Sequence, residues 1–224
     1  MLILAIETSG DLAGLALADE HKTIAEHAFS HRMNLLRRLV PNIELLLQTT
    51  GKTRKDINGV VISLGPGSFT GLRIGMATAK AIAFVREIPI VGVSTLQVLA
   101  EGAGGELVVP LIHARAGEVF WAIFERGQRL TEDSVSKVED VIYFCRSVGE
   151  VVFCGDGAEK NRQIIEDTLG AGAVLGNEYA HPKAGVLAAL GVARLTRGES
   201  DDVDSIVPSY VKRPTPVLRM EGNV

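Results

Sequence analysis

Short apolar runs alternate with amphipathic stretches along the whole chain, and the alternation occurs twice. Residues 2–6, 14–18 and 23–29 have the length and composition of strands. The first is closed by Glu7-Thr8-Ser9-Gly10 and the second by Asp19-Glu20-His21-Lys22, which predicts an antiparallel meander. Apolar residues then recur three and four apart, predicting a helix over 32–48 that stops near Gly51. A strand at 59–63, a helix at 72–86, a strand at 89–93 and a short helix at 95–101 complete the first series. The second series predicts strands at 107–112, 118–125 and 128–133 and a helix at 138–146. It continues with a strand at 151–154, a helix at 158–169, a short strand at 173–175 and a helix at 183–197. Both series run βββαβαβα, which predicts an α/β protein with a mixed sheet in each half. Residues 102–106, with three glycines in five, form the best linker. The tail from 201 is polar and punctuated by proline; residues 209–212 are expected to pair briefly, and the last residues to be disordered.

Composition narrows the class. Of 224 residues, 46% are hydrophobic and 22% charged, enough for a sizeable core. The net charge of −4 argues against a free-standing nucleic-acid binder. Cys145 and Cys154 form neither a disulfide framework nor a zinc knuckle, and they suit a reducing, cytoplasmic setting. No apolar run approaches a membrane span and no basic leader precedes the first strand, so neither membrane nor secretion is expected.

Two loops are candidates for chemistry. In the first, Glu7, Thr8, Ser9 and Gly10 offer amides and hydroxyls to a phosphate; a plain polar hairpin turn has the same appearance. In the second, Gly65, Gly67, Ser68 and Gly71 lie between a strand and a helix, where close backbone approach and free amides attract anions. A tight, capped connection without ligand is the plainer alternative, with Ser68 or Thr70 as the cap. This loop has neither the lysine of a P-loop nor the glycine spacing of a nucleophile elbow. Gly51-Lys52-Thr53 is no P-loop either, because it follows a helix and lacks the upstream glycine. His27 and His31 are four apart, but they straddle a predicted strand end and helix start, so solvent-facing histidines are expected rather than a metal pair. His113, Arg115 and Glu118 surround a predicted turn and are expected to form a charged hairpin tip. No acid–base pair or nucleophile–base arrangement emerges from the spacing.

The helices carry a second signal. Leu36, Leu39, Val40, Ile43, Leu46 and Leu47 form the predicted core stripe of the first long helix. Leu45 lies opposite and Leu35 a quarter turn away. In the next long helix Gly71, Gly75, Ala79 and Ala83 recur every four residues, a flat track for a second helix, while Ile74, Ala81 and Val85 keep another side apolar. Leu35, Leu45, Ile74, Gly75, Ala79 and Ala81 are therefore candidates for a partner interface, with burial inside the chain as the alternative.

Ile3-Leu4-Ala5-Ile6-Glu7-Thr8-Ser9 combined with Gly65-Pro66-Gly67-Ser68-Phe69-Thr70-Gly71-Leu72-Arg73-Ile74-Gly75 resembles the bacterial TsaB, or YeaZ, family. His31, Val93-Ser94-Thr95-Leu96, Ala114-Arg115-Ala116-Gly117-Glu118-Val119, Gly155-Asp156-Gly157 and Pro208-Ser209-Tyr210-Val211 continue the resemblance, which covers about residues 1 to 213. It implies the actin-like ATPase fold of the sugar kinases and heat-shock ATPases, with two ribonuclease-H-like halves at 1–102 and 103–213 and a flexible tail at 214–224. The last helix is expected to pack back on the first half. The family belongs with the glycoprotease-like proteins, or peptidase family M22, yet no protease site is present here.

The implied role is that of a non-catalytic partner in forming threonylcarbamoyladenosine on tRNA, bound to a TsaD-like transferase and served by a TsaE-like ATPase. Alone, the chain is expected to be a homodimer, and tRNA is reached only through the complex. The loops at Glu7 and Gly65 are expected to be a remnant nucleotide site with at most weak ATP or ADP binding. Two departures weaken any catalytic reading: Glu7 stands where the superfamily commonly has Asp, and the paired metal-binding histidines of the transferase have no counterpart. The rival reading is a nucleotide-dependent carbamoyl- or phosphoryl-transferase.

Overall fold

The computed structural model describes residues 1–30, 34–147 and 149–211. The first half is built on strands β1 (Ile3–Glu7), β2 (Leu12–Ala18) and β3 (Thr23–Ser30). They form the expected meander, with Ile3 opposite Ala18 and Leu12 opposite Ser30. Helix α1 (Leu35–Thr49) leads to β4 (Gly59–Gly65), which lies parallel to β1. Helix α2 (Phe69–Arg86) leads to β5 (Ile90–Ser94), parallel to β4, giving the order β3-β2-β1-β4-β5. β1 is apolar at successive positions because both of its faces are covered. Leu4 and Ile6 pack with Leu39, Ile43, Met76 and Ala83 of α1 and α2. Ile3 and Ala5 pack with Leu187 and Val192 of α7 (Ala184–Thr196), the last helix, on the opposite face. Gly191 permits that approach, since a side chain there would run into Val61 of β4.

Helix α3 (Thr95–Ala103) is shared by the halves. Val98 faces Val91 and Val93 of the first sheet, while Leu96, Leu99 and Ala100 face Val108, Phe124 and Cys154 of the second. The second sheet contains β6 (Leu107–His113), β7 (Glu118–Trp121), β8 (Phe124–Glu125), β9 (Gln128–Arg129) and β10 (Ser134–Lys137). Their order is β10-β7-β6-β8-β9, and β11 (Val152–Cys154) pairs with β6. Helices α4 (Val138–Cys145), α5 (Asp156–Lys160) and α6 (Arg162–Leu169) complete this half. Val141 and Ile142 of α4 and Ile165 of α6 cover Val109, Leu111 and Phe153.

Several boundaries differ from the sequence pattern. The strand predicted over 118–125 breaks at Ala122–Ile123, and the Ile123 N–H turns to the Thr131 hydroxyl. The strand predicted over 128–133 is only β9, which pairs with β8; the strand on the outer side of β7 is β10, further along. The helix predicted over 158–169 is interrupted at Asn161, whose amide donates to the Gly157 carbonyl. The strand predicted over 173–175 is a single bridge between Phe153 and Val174. α2 starts at Phe69 instead of Leu72, because the Ser68 hydroxyl caps it by accepting the Gly71 N–H. The start of the helix predicted from Arg32, and His31 itself, lie outside the described residues, as do Lys212 and the tail beyond.

Candidate functional site

β1 and β4 are parallel neighbours, so the chain leaves both at the same end of the sheet. The turn at 7–10 and the loop at 65–71 therefore meet. The Ser68 N–H donates to the Ser9 carbonyl at 2.6 Å, joining the two loops directly. α2 sits tight on the first loop. A side chain at Gly71 would collide with the Thr8 carbonyl, one at Gly75 with the Thr8 hydroxyl, and one at Gly67 with the Ser9 carbonyl. The structure thus brings Glu7, Thr8, Ser9, Gly65, Gly67, Ser68 and Gly71 into one cluster.

Glu7 is fully buried. Its Oε1 accepts the Ser9 N–H at 2.6 Å and its Oε2 has no partner. Burial pushes its carboxyl above the ordinary value of 4.5, with hydrogen bonds from Ser9 and Ser63 opposing the rise. The hydroxyls of Thr8 and Thr95 are also buried without partners. The actin-like fold implies a nucleotide with its metal ion at these loops, and the residues present do not fit that group in this arrangement. The Ser68 amide is occupied by Ser9 and the Gly71 amide by Ser68. Burial also disfavours the charged form of the one carboxyl in the cluster, Glu7.

The second half has a matching but separate close packing. Side chains at Gly155 and Gly157 would collide with the Leu111 backbone, and Asp156 Oδ1 accepts the His113 N–H at 2.9 Å. Arg115 lies in the turn at Arg115–Gly117, which Ala116 passes at φ 61°, with His113 at the end of β6 before it and Glu118 at the start of β7 after it. His27 is held by Asn42, at 2.8 Å, and stacks on Phe29. Among the described residues no three His, Cys, Asp or Glu side chains gather as a metal-binding group.

The candidate interface residues divide. Leu45 and Ala81 are exposed and Ile74 is half-buried. The expectation that Leu35, Gly75 and Ala79 face a partner is corrected, because all three are buried within the chain. The core stripe of α1 runs through Leu35, Leu39, Ile43, Leu46 and Leu47. Leu36, expected in that stripe, is 74% exposed, and Val40 is exposed as well. The small-residue row of α2 turns inward: Gly71 and Gly75 bring the helix onto Thr8, and Gly75 onto Ile62 as well. The outer side of α2 instead presents Ala81, Phe84 and Val85. Sequence periodicity had singled out the row's flatness without showing what lay opposite it. Phe84 carried only the signal of its spacing from Ala81, and it was missed.

These features define an actin-like α/β protein whose 7–10 turn and 65–71 loop are closed on each other and whose first helix pair exposes apolar side chains. Likeness to the Clostridium difficile activator of 2-hydroxyisocaproyl-CoA dehydratase, solved with bound ADPNP, is one of fold alone: TM-score 0.51 and 12% identity over 90% of this chain and 99% of that one. A Pseudomonas aeruginosa protein described as similar to peptidase YeaZ superposes with TM-score 0.80 and 26% identity over 94% of this chain and 99% of that one. The family model for TsaD, tRNA N6-adenosine threonylcarbamoyltransferase, matches residues 26–215. The tRNA threonylcarbamoyladenosine biosynthesis protein TsaB of Bacillus subtilis strain 168 is 34% identical over 222 residues, covering 95% of this chain and 94% of that protein. The chain belongs to the TsaB (YeaZ) family, within the glycoprotease-like superfamily.

Proposed function

We propose that this chain is a non-catalytic partner subunit in the biosynthesis of tRNA threonylcarbamoyladenosine, where it binds and supports a TsaD-like transferase. The observation that carries this reading is the set of exposed apolar side chains on the helix pair: Leu36 and Val40 on one side of α1, Leu45 on its other side, and Ala81, Phe84 and Val85 together on α2. A contiguous exposed apolar group such as Ala81, Phe84 and Val85 marks protein–protein contact. Family membership supplies the pathway, through the function for which the Bacillus relative is named. The closed loops and the buried Glu7 support a subunit without phosphoryl or carbamoyl chemistry of its own.

Alone, the chain covers the same face with a second copy of itself. A TsaE-like ATPase acts on the assembly, and tRNA is engaged through the complex, since a net charge of −4 gives this subunit little hold on phosphates. Its place of work is the cytoplasm, where tRNA is; among the described residues no helix is long and apolar enough to cross a membrane. Isothermal titration of the purified chain with ATP, with ADP and with a TsaD-like protein tests the reading. Binding to the protein without tight nucleotide binding is expected. Tight ATP binding with no affinity for the TsaD-like protein would overturn it in favour of an independent transferase.

A further inference from the structure

Residues 201–211 follow the edge of the first sheet and end on the glycine loop. Their first part is firmly anchored. The Asp201 N–H donates to the Ile90 carbonyl at 2.8 Å, and the Asp201 carboxylate accepts the Gly92 N–H at 2.7 Å. Arg194 of α7 donates to the same carboxylate and to the Gly92 carbonyl. Ile206 enters the core beside α2, and Lys80 donates to the carbonyls of Asp204 and Ile206.

The second part is held through Ser209 and Tyr210, by contacts with the loop and the start of α2. The Ser209 N–H donates to the Leu64 carbonyl at 2.7 Å, at the loop's entrance. The Tyr210 ring lies 5.4 Å from the Phe69 ring, at the loop's exit, and its hydroxyl accepts from Arg73 Nε at 3.2 Å. The Arg73 guanidinium in turn covers the Phe69 ring at 3.9 Å. One short segment thus spans both ends of the loop whose middle, Ser68, is hydrogen-bonded to Ser9.

We propose that residues 207–211 are a latch that holds the 65–71 loop shut on the 7–10 turn, and that its release frees the loop amides for a phosphate-bearing ligand. Residues 201–206 are the hinge-side anchor and stay in place. The second clause rests on the reading of these loops as a remnant phosphate site; the first stands on the contacts alone. A backbone hydrogen bond and an aromatic contact together shift an opening equilibrium about tenfold to a hundredfold.

Hydrogen–deuterium exchange of the full chain tests the latch, because amide exchange reports local opening. In Tyr210→Ala, which removes the aromatic contact, and in Ser209→Pro, which removes the donor to Leu64, peptides covering 64–72 should each exchange about two to ten times faster than in the parent. Peptides of β1 and β2 should be unchanged. Parent-like exchange over 64–72 in Tyr210→Ala overturns the latch. If Ser209→Pro loses protection everywhere, Tyr210→Ala decides alone, since Tyr210 is 40% exposed and lies outside the core. Calorimetry with ADP separates the two clauses. A gain in ADP affinity by a similar factor in Tyr210→Ala supports both. Faster loop exchange without ADP binding upholds the latch and overturns the phosphate-site reading.

Discussion

Phe84 is 67% exposed on the outer side of α2, beside Val85 and three residues from Ala81. A phenylalanine side chain offers roughly 200 Å² to burial, so about 130 Å² of this one is open to a partner. At about 25 cal/mol per Å², complete coverage would contribute about 3 kcal/mol. Coverage at an interface is rarely complete, so Phe84→Ala should weaken association by about 1.5–3 kcal/mol, or roughly ten- to a hundredfold in Kd. The isolated fold should not suffer. An exposed substitution changes stability by about 0.5 kcal/mol or less, and alanine is the better helix former. Sedimentation of the chain alone, and titration with a TsaD-like protein, measure association; urea unfolding measures the fold. Leu45→Glu on α1 should behave in the same way. An unchanged Kd in folded Phe84→Ala protein would remove this face from the interface. Loss of more than about 1 kcal/mol of stability would mean that Phe84 belongs to the core in solution.

Three further outcomes follow from buried positions. Glu7 holds its proton in the folded state after the unfolded chain has lost it, so it costs stability increasingly as pH rises from 4.5 to the higher folded value. Glu7→Gln should therefore gain on the parent in urea unfolding as pH rises above 4.5; a difference independent of pH would contradict the raised pKa. Gly71→Ala drives a methyl group into the Thr8 carbonyl and should cost about 1–3 kcal/mol, read as a lower melting temperature; a parent-like melt would show that the loops are loosely packed. Ala79→Leu overpacks the layer between α2 and the sheet and should lower stability by a similar amount. If it weakened association while the melt stayed unchanged, Ala79 would face outward after all.

Much of the architecture was legible because strands and helices impose different periods. The alternation along residues 2–30 gave the meander, and the doubled element order gave two sheets. The limits lie where periodicity carries no direction. β1 is apolar on both sides, so its sequence does not say that Leu4 meets α1 and α2 while Ile3 meets α7. On α1, Leu35 and Leu36 are adjacent leucines, and only packing decides that the first is core and the second is not. The glycine–alanine row on α2 announces a close approach, but sheet and helix are equally suitable neighbours for a flat track. The cluster around Glu7 could be nominated from its glycines and hydroxyls. Its closure could not, because the Ser68–Ser9 bond joins backbone atoms, which have no side-chain signature. Residues 201–211 were opaque for the same reason. Their anchors include the carbonyls of Asp204 and Ile206 and the N–H of Ser209, in a segment with no apolar repeat.

The central claim is that this chain supports a reaction it does not perform. The direct measurement is threonylcarbamoyl transfer to tRNA by a TsaD-like protein and a TsaE-like ATPase, with this chain present, with it omitted, and with this chain alone. Modification is expected in the complete mixture, little or none when the chain is omitted, and none from the chain by itself. Turnover by the isolated chain at about 1 per second or faster, within the ordinary enzyme range, would contradict it. So would undiminished modification in its absence.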